Sequence, residues 1–339
     1  MTLHLRRLLG VALVAALTAC SASTSGTTTA ADATPSPTAA AEPATIRIAS
    51  LKGPTTMGLV KLMSDAEAGT ATHDYQVTMY GTADEVVPQV VQGEVDVALV
   101  PANLASVLYN RTEGAVQVAA VNTLGVLYVV ENGETVQGVE DLRGRTVYST
   151  GKGTSPEFVL NHILAGNGID PGTDLTVEYK SESTELAVLL AEGADVVAVL
   201  PQPYVTIVQA QNPAVRVALD LTEEWDAVSP DSGLVTGVVV VRREFAEQNA
   251  AAFGDFLDDY ADSTAFTNSN IPEAAALIAA AGIVPQPAIA EKAIPACNIT
   301  FIDGSEMRAK LEGYLQVLFE ANPESIGGAL PGDDFWYER

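Results

Sequence analysis

Basic residues are scarce in this chain: 17 Lys and Arg stand against 43 Asp and Glu, a formal charge of −26 over 339 residues. Such a surface repels a phosphate backbone, which excludes nucleic acid as a partner. Histidine is scarcer still. His4 lies near the N-terminus, His73 in an expected loop, and His162 in an expected helix, where a surface position is read for it. No HExxH, CxxC cluster, GxSxG or Walker loop occurs. Acid pairs such as Asp258–Asp259 and Asp333–Asp334 read as solvated charges. No metal site, cofactor or catalytic centre is therefore expected. Cysteine is limited to Cys20 and Cys297, which allows one disulfide at most. Long apolar runs are missing from the body of the chain, where Val238–Val241 is only a strand's worth.

What is present begins with residues 1–20, MTLHLRRLLGVALVAALTAC. Arg6 and Arg7 form a positive region, and Leu8 to Leu17 an apolar stretch too short to span a bilayer. Leu17-Thr18-Ala19-Cys20 then resembles a bacterial lipoprotein cleavage box. That resemblance implies a signal peptide over 1–19 and a lipid-bearing Cys20 as the mature N-terminus, anchored by two or more chains. Cys297 is then left as a lone thiol, read as a small buried hydrophobe. Residues 20–44 are rich in Ser, Thr, Ala and Pro with no large apolar residue, and read as a disordered tether.

From Thr45 the grammar changes to strands alternating with helices, the pattern of an α/β fold with a parallel or mixed sheet. Residues 77–101 run strand, helix, then VDVALVP; residues 175–201 run strand, helix, then ADVVAVLP. Both close on a strand, a proline and a helix, which predicts two similarly built lobes. The expected division is 45–125 plus 243–339 for lobe 1 with its C-terminal helices, and 126–242 for lobe 2. Crossings near 122–126 and 233–238 would form the hinge. Beyond 243 the expected elements are helices, over 244–269, 271–282, 288–295 and 304–323.

Open α/β sheets bind ligands beyond the carboxyl ends of their strands. Four such loops are candidates. The first holds Lys52, Gly53, Pro54, Thr55 and Thr56, where Gly and Pro fix a turn and the threonines can cap a helix. The second holds Pro101 and Asn103, the latter a candidate N-cap. The third holds Gly151, Lys152, Thr154 and Ser155, rich in donors and followed by Pro156 at a first helical position. The fourth holds Gln202 and Tyr204, an amide and an aromatic face. Tyr80 ends another strand, and Gly237 lies in the second crossing. Taken singly, each also reads as ordinary turn chemistry, and Lys152 equally as a solvated lysine.

Three stretches carry a resemblance: VVPQVVQGEVDVALVPANLASVLYN, GKGTSPEFVLNHILAGNGIDPGTDL and LAEGADVVAVLPQPYVT. Over 46–331 the chain resembles the periplasmic-type solute-binding proteins of ABC importers, most closely the nitrate/sulfonate/taurine and thiamine-precursor group. The resemblance implies a two-lobed type II periplasmic-binding-protein fold with two crossover strands as its hinge. It also implies an extracytoplasmic, monomeric, non-enzymatic protein that binds a small molecule and works with a permease and an ATPase, touching the membrane only through its anchor. Where the family's second-lobe strand often ends in Glu-Pro, this chain has Gln202-Pro203, so no acidic contact is carried over. Glycine- and threonine-rich helix starts favour an anion such as a sulfonate, and the missing arginines leave a neutral heterocycle as the alternative ligand. A sensing lipoprotein without a transporter, or an enzyme on the same fold, are the alternative roles.

Overall fold

The computed structural model describes residues 43–193 and 195–339. Cys20, the expected signal peptide and nearly all of the expected tether lie outside the described residues. In chain order the strands are β1 (Thr45–Leu51), β2 (Asp74–Tyr80), β3 (Val97–Pro101), β4 (Val116–Leu124), β5 (Leu127–Asn132), β6 (Thr146–Ser149), β7 (Thr176–Tyr179), β8 (Val197–Pro201), β9 (Val215–Asp220), β10 (Val235–Arg242) and β11 (Ile299–Ile302). They form two sheets, ordered β11-β4-β10-β3-β1-β2 and β7-β6-β8-β5-β9.

The sheets share one plan. In the first, β2, β1 and β3 are parallel and β10 joins β3 antiparallel. In the second, β7, β6 and β8 are parallel and β5 joins β8 antiparallel. β3 reads VALVP and β8 reads VAVLP, and the first four residues of each are buried. A strand covered on both faces by helices must be apolar throughout, which is what these two sequences provide. The edge strand β2, DYQVTMY, instead mixes buried and exposed positions, as an edge with one covered face requires.

Val235–Arg242 departs from the expected division, which placed it in lobe 2. It is an interior strand of the first sheet, hydrogen-bonded to β3 on one side and β4 on the other. Its four consecutive valines, Val238 to Val241, are all buried, and only an interior strand buries both faces of such a run. The chain therefore leaves the first sheet between β4 and β5 and returns just before β10. Arg47 and Arg242, on β1 and β10, both contact the buried Asp96 carboxylate, Arg47 Nη2 at 2.7 Å and Arg242 at 3.5 Å. Burial pushes this carboxyl up, but the hydrogen bonds from Arg47 and Arg242 outweigh that effect and hold it below the usual carboxylate range.

Other differences are local. The expected helix over 53–69 is two pieces, Pro54–Met57 and Val60–Ala68, with Gly58 packed between Thr264, Ile299 and Tyr260 at the break. The helix expected over 244–269 breaks at Asn249, whose φ of −128° is not helical. Helix Leu221–Val228 and strand β11 were not expected. The helices Ile271–Ala280 and Pro287–Ala293 do not serve one lobe alone. Ala274, Ile278 and Ala290 share a buried core with Met57 and Val60 on one side and Leu186, Val205 and Val208 on the other. Cys297 is a fully buried free thiol in that core, with Sγ 3.7 Å from the Met57 sulfur, and burial raises its pKa. Among the described residues no helix is long and apolar enough to cross a membrane.

Candidate functional site

Because the three parallel strands of each sheet end at the same edge, the helices that follow them all start there. A cleft of about 420 Å³ lies where the two edges face each other. Its walls come from six strand-to-helix turns. Leu51, Lys52, Pro54 and Thr55 follow β1, Gly81 to Asp84 follow β2, and Pro101 ends β3. Across from them, Thr150 to Pro156 follow β6, Lys180 to Ser183 follow β7, and Pro201 ends β8, with Gly153 alone of these not on the wall. Val126, Leu127 and Thr236 complete the lining from the two crossings.

Charge is concentrated here. The chain contains six lysines, and three of them, Lys52, Lys152 and Lys180, line this cleft against two carboxylates, Asp84 and Glu182. Among the described residues, neither Lys52 nor Lys152 has a carboxylate within ion-pair distance, and Lys180 reaches only Glu178 at 3.9 Å. Tyrosine rings under two of the ammonium groups place them: Lys152 Nζ is 5.7 Å from the Tyr179 ring and Lys180 Nζ 5.2 Å from the Tyr148 ring. Eight lining residues carry hydroxyls, and no aromatic side chain is among the lining residues. The starts of helices Ala83–Val91, Ser155–Gly166 and Ser183–Glu192 line the same space and turn the positive ends of their dipoles toward it.

Local sequence sets each turn. Thr82 opens its helix with a capping box, in which Glu85 accepts from the Thr82 amide at 2.9 Å. In the 150–156 loop, Gly151 has φ +69°, a conformation that favours glycine, and Thr154 Oγ1 donates to Gly151 O at 2.7 Å. Gly153 N donates to the Glu157 carboxylate at 2.5 Å, which closes the loop onto its own helix.

Of the residues singled out from sequence, Lys52, Pro54, Thr55, Pro101, Gly151, Lys152, Thr154 and Ser155 line the cleft. The others do not. Thr56 is fully buried, donating to Leu51 O at 2.5 Å and sharing a 2.7 Å contact with Ser50. Thr55 donates back to Leu51 O at 2.9 Å, so neither threonine caps the helix as expected. Gly53 serves the backbone turn, at φ +145°. Tyr80 packs against the main core. Asn103 is not an N-cap but the second residue of its helix, fully buried. Gln202 is turned inward and accepts from the Thr206 hydroxyl at 2.9 Å. Tyr204 is buried in the second core, and that burial, with the Glu182 charge, pushes its hydroxyl up to about 12. Gly237 lies just behind the wall, where a Cβ would come within 2.5 Å of Asn122 Oδ1 and 2.9 Å of Thr55 Cγ2. His162 is half-buried, bonded to Ser229 Oγ at 2.7 Å and 4.7 Å from the Trp225 ring, which corrects its expected surface position.

Sequence reading missed Thr82, Asp84, Lys180, Ser181, Glu182, Ser183 and Thr236, which line the cleft. The signal was available for all but the last. They follow β2 and β7, both expected as strands, and the strand-end rule that selected four loops applies equally to these two.

Two sheets of one plan facing across a single cleft define a two-lobed solute-binding protein. A model of the family described as ABC transporter, phosphonate, periplasmic substrate-binding protein matches residues 60–285, and the chain belongs to that family. It is the substrate-binding component of an ABC import system, a class of extracytoplasmic proteins that bind small ligands, work with permease and ATPase subunits and are not enzymes. No curated protein matches the chain. Solved structures do. An ABC transporter protein of Parabacteroides distasonis has a TM-score of 0.71 at 22% identity, over 87% of this chain and 99% of that one. The periplasmic aliphatic sulphonate binding protein of Escherichia coli has 0.68 at 19%, over 88% and 93%. The periplasmic nitrate-binding protein of Synechocystis has 0.60 at 13%, over 78% and 75%. These likenesses show the type II periplasmic-binding-protein fold.

Gly237→Ala is expected to destabilise the protein by about 1–3 kcal/mol, the usual cost of overpacking, because Asn122 and Thr55 must give way. Urea unfolding checks this, with Gly233→Ala, at an open position, expected to leave stability unchanged.

Proposed function

We propose that the cleft captures a small oxyanion, sulfonate-like or a related anion, for delivery to the importer. The observation that carries the reading is the gathering of Lys52, Lys152 and Lys180 at one cleft of a strongly acidic chain. Ammonium groups, hydroxyls and helix starts together supply the donors that an oxyanion's several acceptor oxygens need. A ligand that touches both lobes shifts the population toward the closed form, and the permease then reads that form. The neutral-heterocycle alternative has less support, since a flat ring calls for an aromatic or broad apolar wall and the lining has no aromatic side chain.

A thermal-shift screen tests the reading with methanesulfonate, methylphosphonate, nitrate and a pyrimidine. An oxyanion is expected to raise the melting temperature, because ligand bound only by the native state stabilises it. Lys52→Met and Lys152→Met are each expected to weaken that anion about tenfold or more, the scale of a lost charge-assisted hydrogen bond. A melting temperature raised by the pyrimidine and by none of the anions would overturn the oxyanion reading.

The same reading has the protein held at the cell membrane as a monomer through lipid on Cys20, which lies outside the described residues. Cys20→Ser is expected to move the protein from the membrane fraction to the soluble fraction of its native host; retention at the membrane contradicts the anchor.

A further inference from the structure

Asn103 is fully buried and does not touch the cleft, yet it is bonded to three residues in two distant parts of the chain. Its Nδ2 donates to Ser325 O at 2.9 Å and to Gly153 O at 3.4 Å, and its Oδ1 accepts from Ser155 Oγ at 3.4 Å. Helix Ala102–Arg111, which carries Asn103, follows β3 of the first sheet, whereas Gly153 and Ser155 belong to the loop after β6 of the second. Ser325 lies in the segment near the C-terminus that packs on the same helix, where Ser106 Oγ also donates to Ile326 O at 2.8 Å. Ser155 is fully buried as well, so both ends of the Asn103–Ser155 contact are withdrawn from water, whereas Gly153 is exposed.

We infer that Asn103 is a positioning residue that latches the anion-facing loop Thr150–Ser155 to the first lobe. The carboxamide suits this task because it offers a donor and an acceptor in one plane, and here it uses both toward the opposite lobe. Its second donor hydrogen is held by Ser325, which fixes the orientation of the amide. Thr154 lies between the two latched residues and Lys152 directly precedes Gly153, so any separation of the lobes that breaks the Gly153 and Ser155 contacts also withdraws the loop's cleft-facing groups. The inference rests on the cleft being the ligand site. Its test needs no ligand.

The distance between the lobes reads the latch directly. Val91 and Val188 are exposed, on helices of opposite lobes, and Cys297 is fully buried. Spin labels on Val91→Cys and Val188→Cys, in a full chain with Cys20→Ser, report the separation by pulsed electron resonance in ligand-free protein. Asn103→Ala is expected to raise the ratio of separated to latched lobes about fivefold, the scale of one neutral hydrogen bond. Ser155→Ala, which leaves the Ser325 bond intact, is expected to shift it in the same direction. Ser106→Ala removes a bond of the same helix to the same segment but no cross-lobe contact, and is expected to leave the distances unchanged. Unaltered distances in Asn103→Ala and Ser155→Ala, or an equal shift in Ser106→Ala, would overturn the latch. Because no anion is present, this failure is distinguishable from a failure of the oxyanion reading.

Discussion

In each sheet three parallel strands end at a common edge, and one antiparallel strand runs beside them to carry the chain between lobes. The register of that strand is the same in both sheets. Gly237 of β10 lies opposite Pro101 at the end of β3, and Leu127 of β5 lies opposite Pro201 at the end of β8. The crossings therefore meet the sheets beside the very edges from which the helices start. From this one constraint follow the position of the cleft, the convergence of helix starts on it, and the need for glycine at 237, where β10 passes within contact distance of Thr55.

Electrostatics in the cleft is local and runs against the protein as a whole. At physiological ionic strength, charges farther than about 8 Å are largely screened, so the acidic surface does not decide what binds. The neighbours within that range do. Lys52 and Lys152 have no carboxylate at ion-pair distance among the described residues, and hydroxyls and helix starts surround them. Asp84 and Glu182 also line the cleft, and Glu182 reaches toward Gly81 of the other lobe, with Oε1 2.9 Å from where a Cβ of Gly81 would stand. The two lobes thus approach each other both at Gly81–Glu182 and at Asn103–Ser155.

Legibility in the sequence followed what each residue type does locally. VALVP and VAVLP announced the central strands and their repeated setting, because full burial leaves no choice of composition. The 150–156 loop announced itself through Gly151, Gly153 and Pro156, whose backbone constraints are local. By contrast, whether a polar side chain at a strand end faces the cleft or the core depends on contacts made far along the chain. Asn103 looked like an N-cap and Gln202 like a ligand contact. Distant partners, Ser325 and Gly153, turned the first inward, whereas the second is held by a local bond from Thr206 in the next helical turn. Val235–Arg242 was legible as a strand but not as to its lobe, since pairing partners 111 to 144 residues away are not written in its own pattern.

The solute that the protein carries from its native host tests the central claim most directly. Protein purified without denaturation is unfolded, and the released small molecules are identified by mass spectrometry. The account predicts a small anion, stoichiometric with the protein and lost from the Lys52→Met, Lys152→Met double variant. A neutral or cationic solute, retained by that variant, would contradict it.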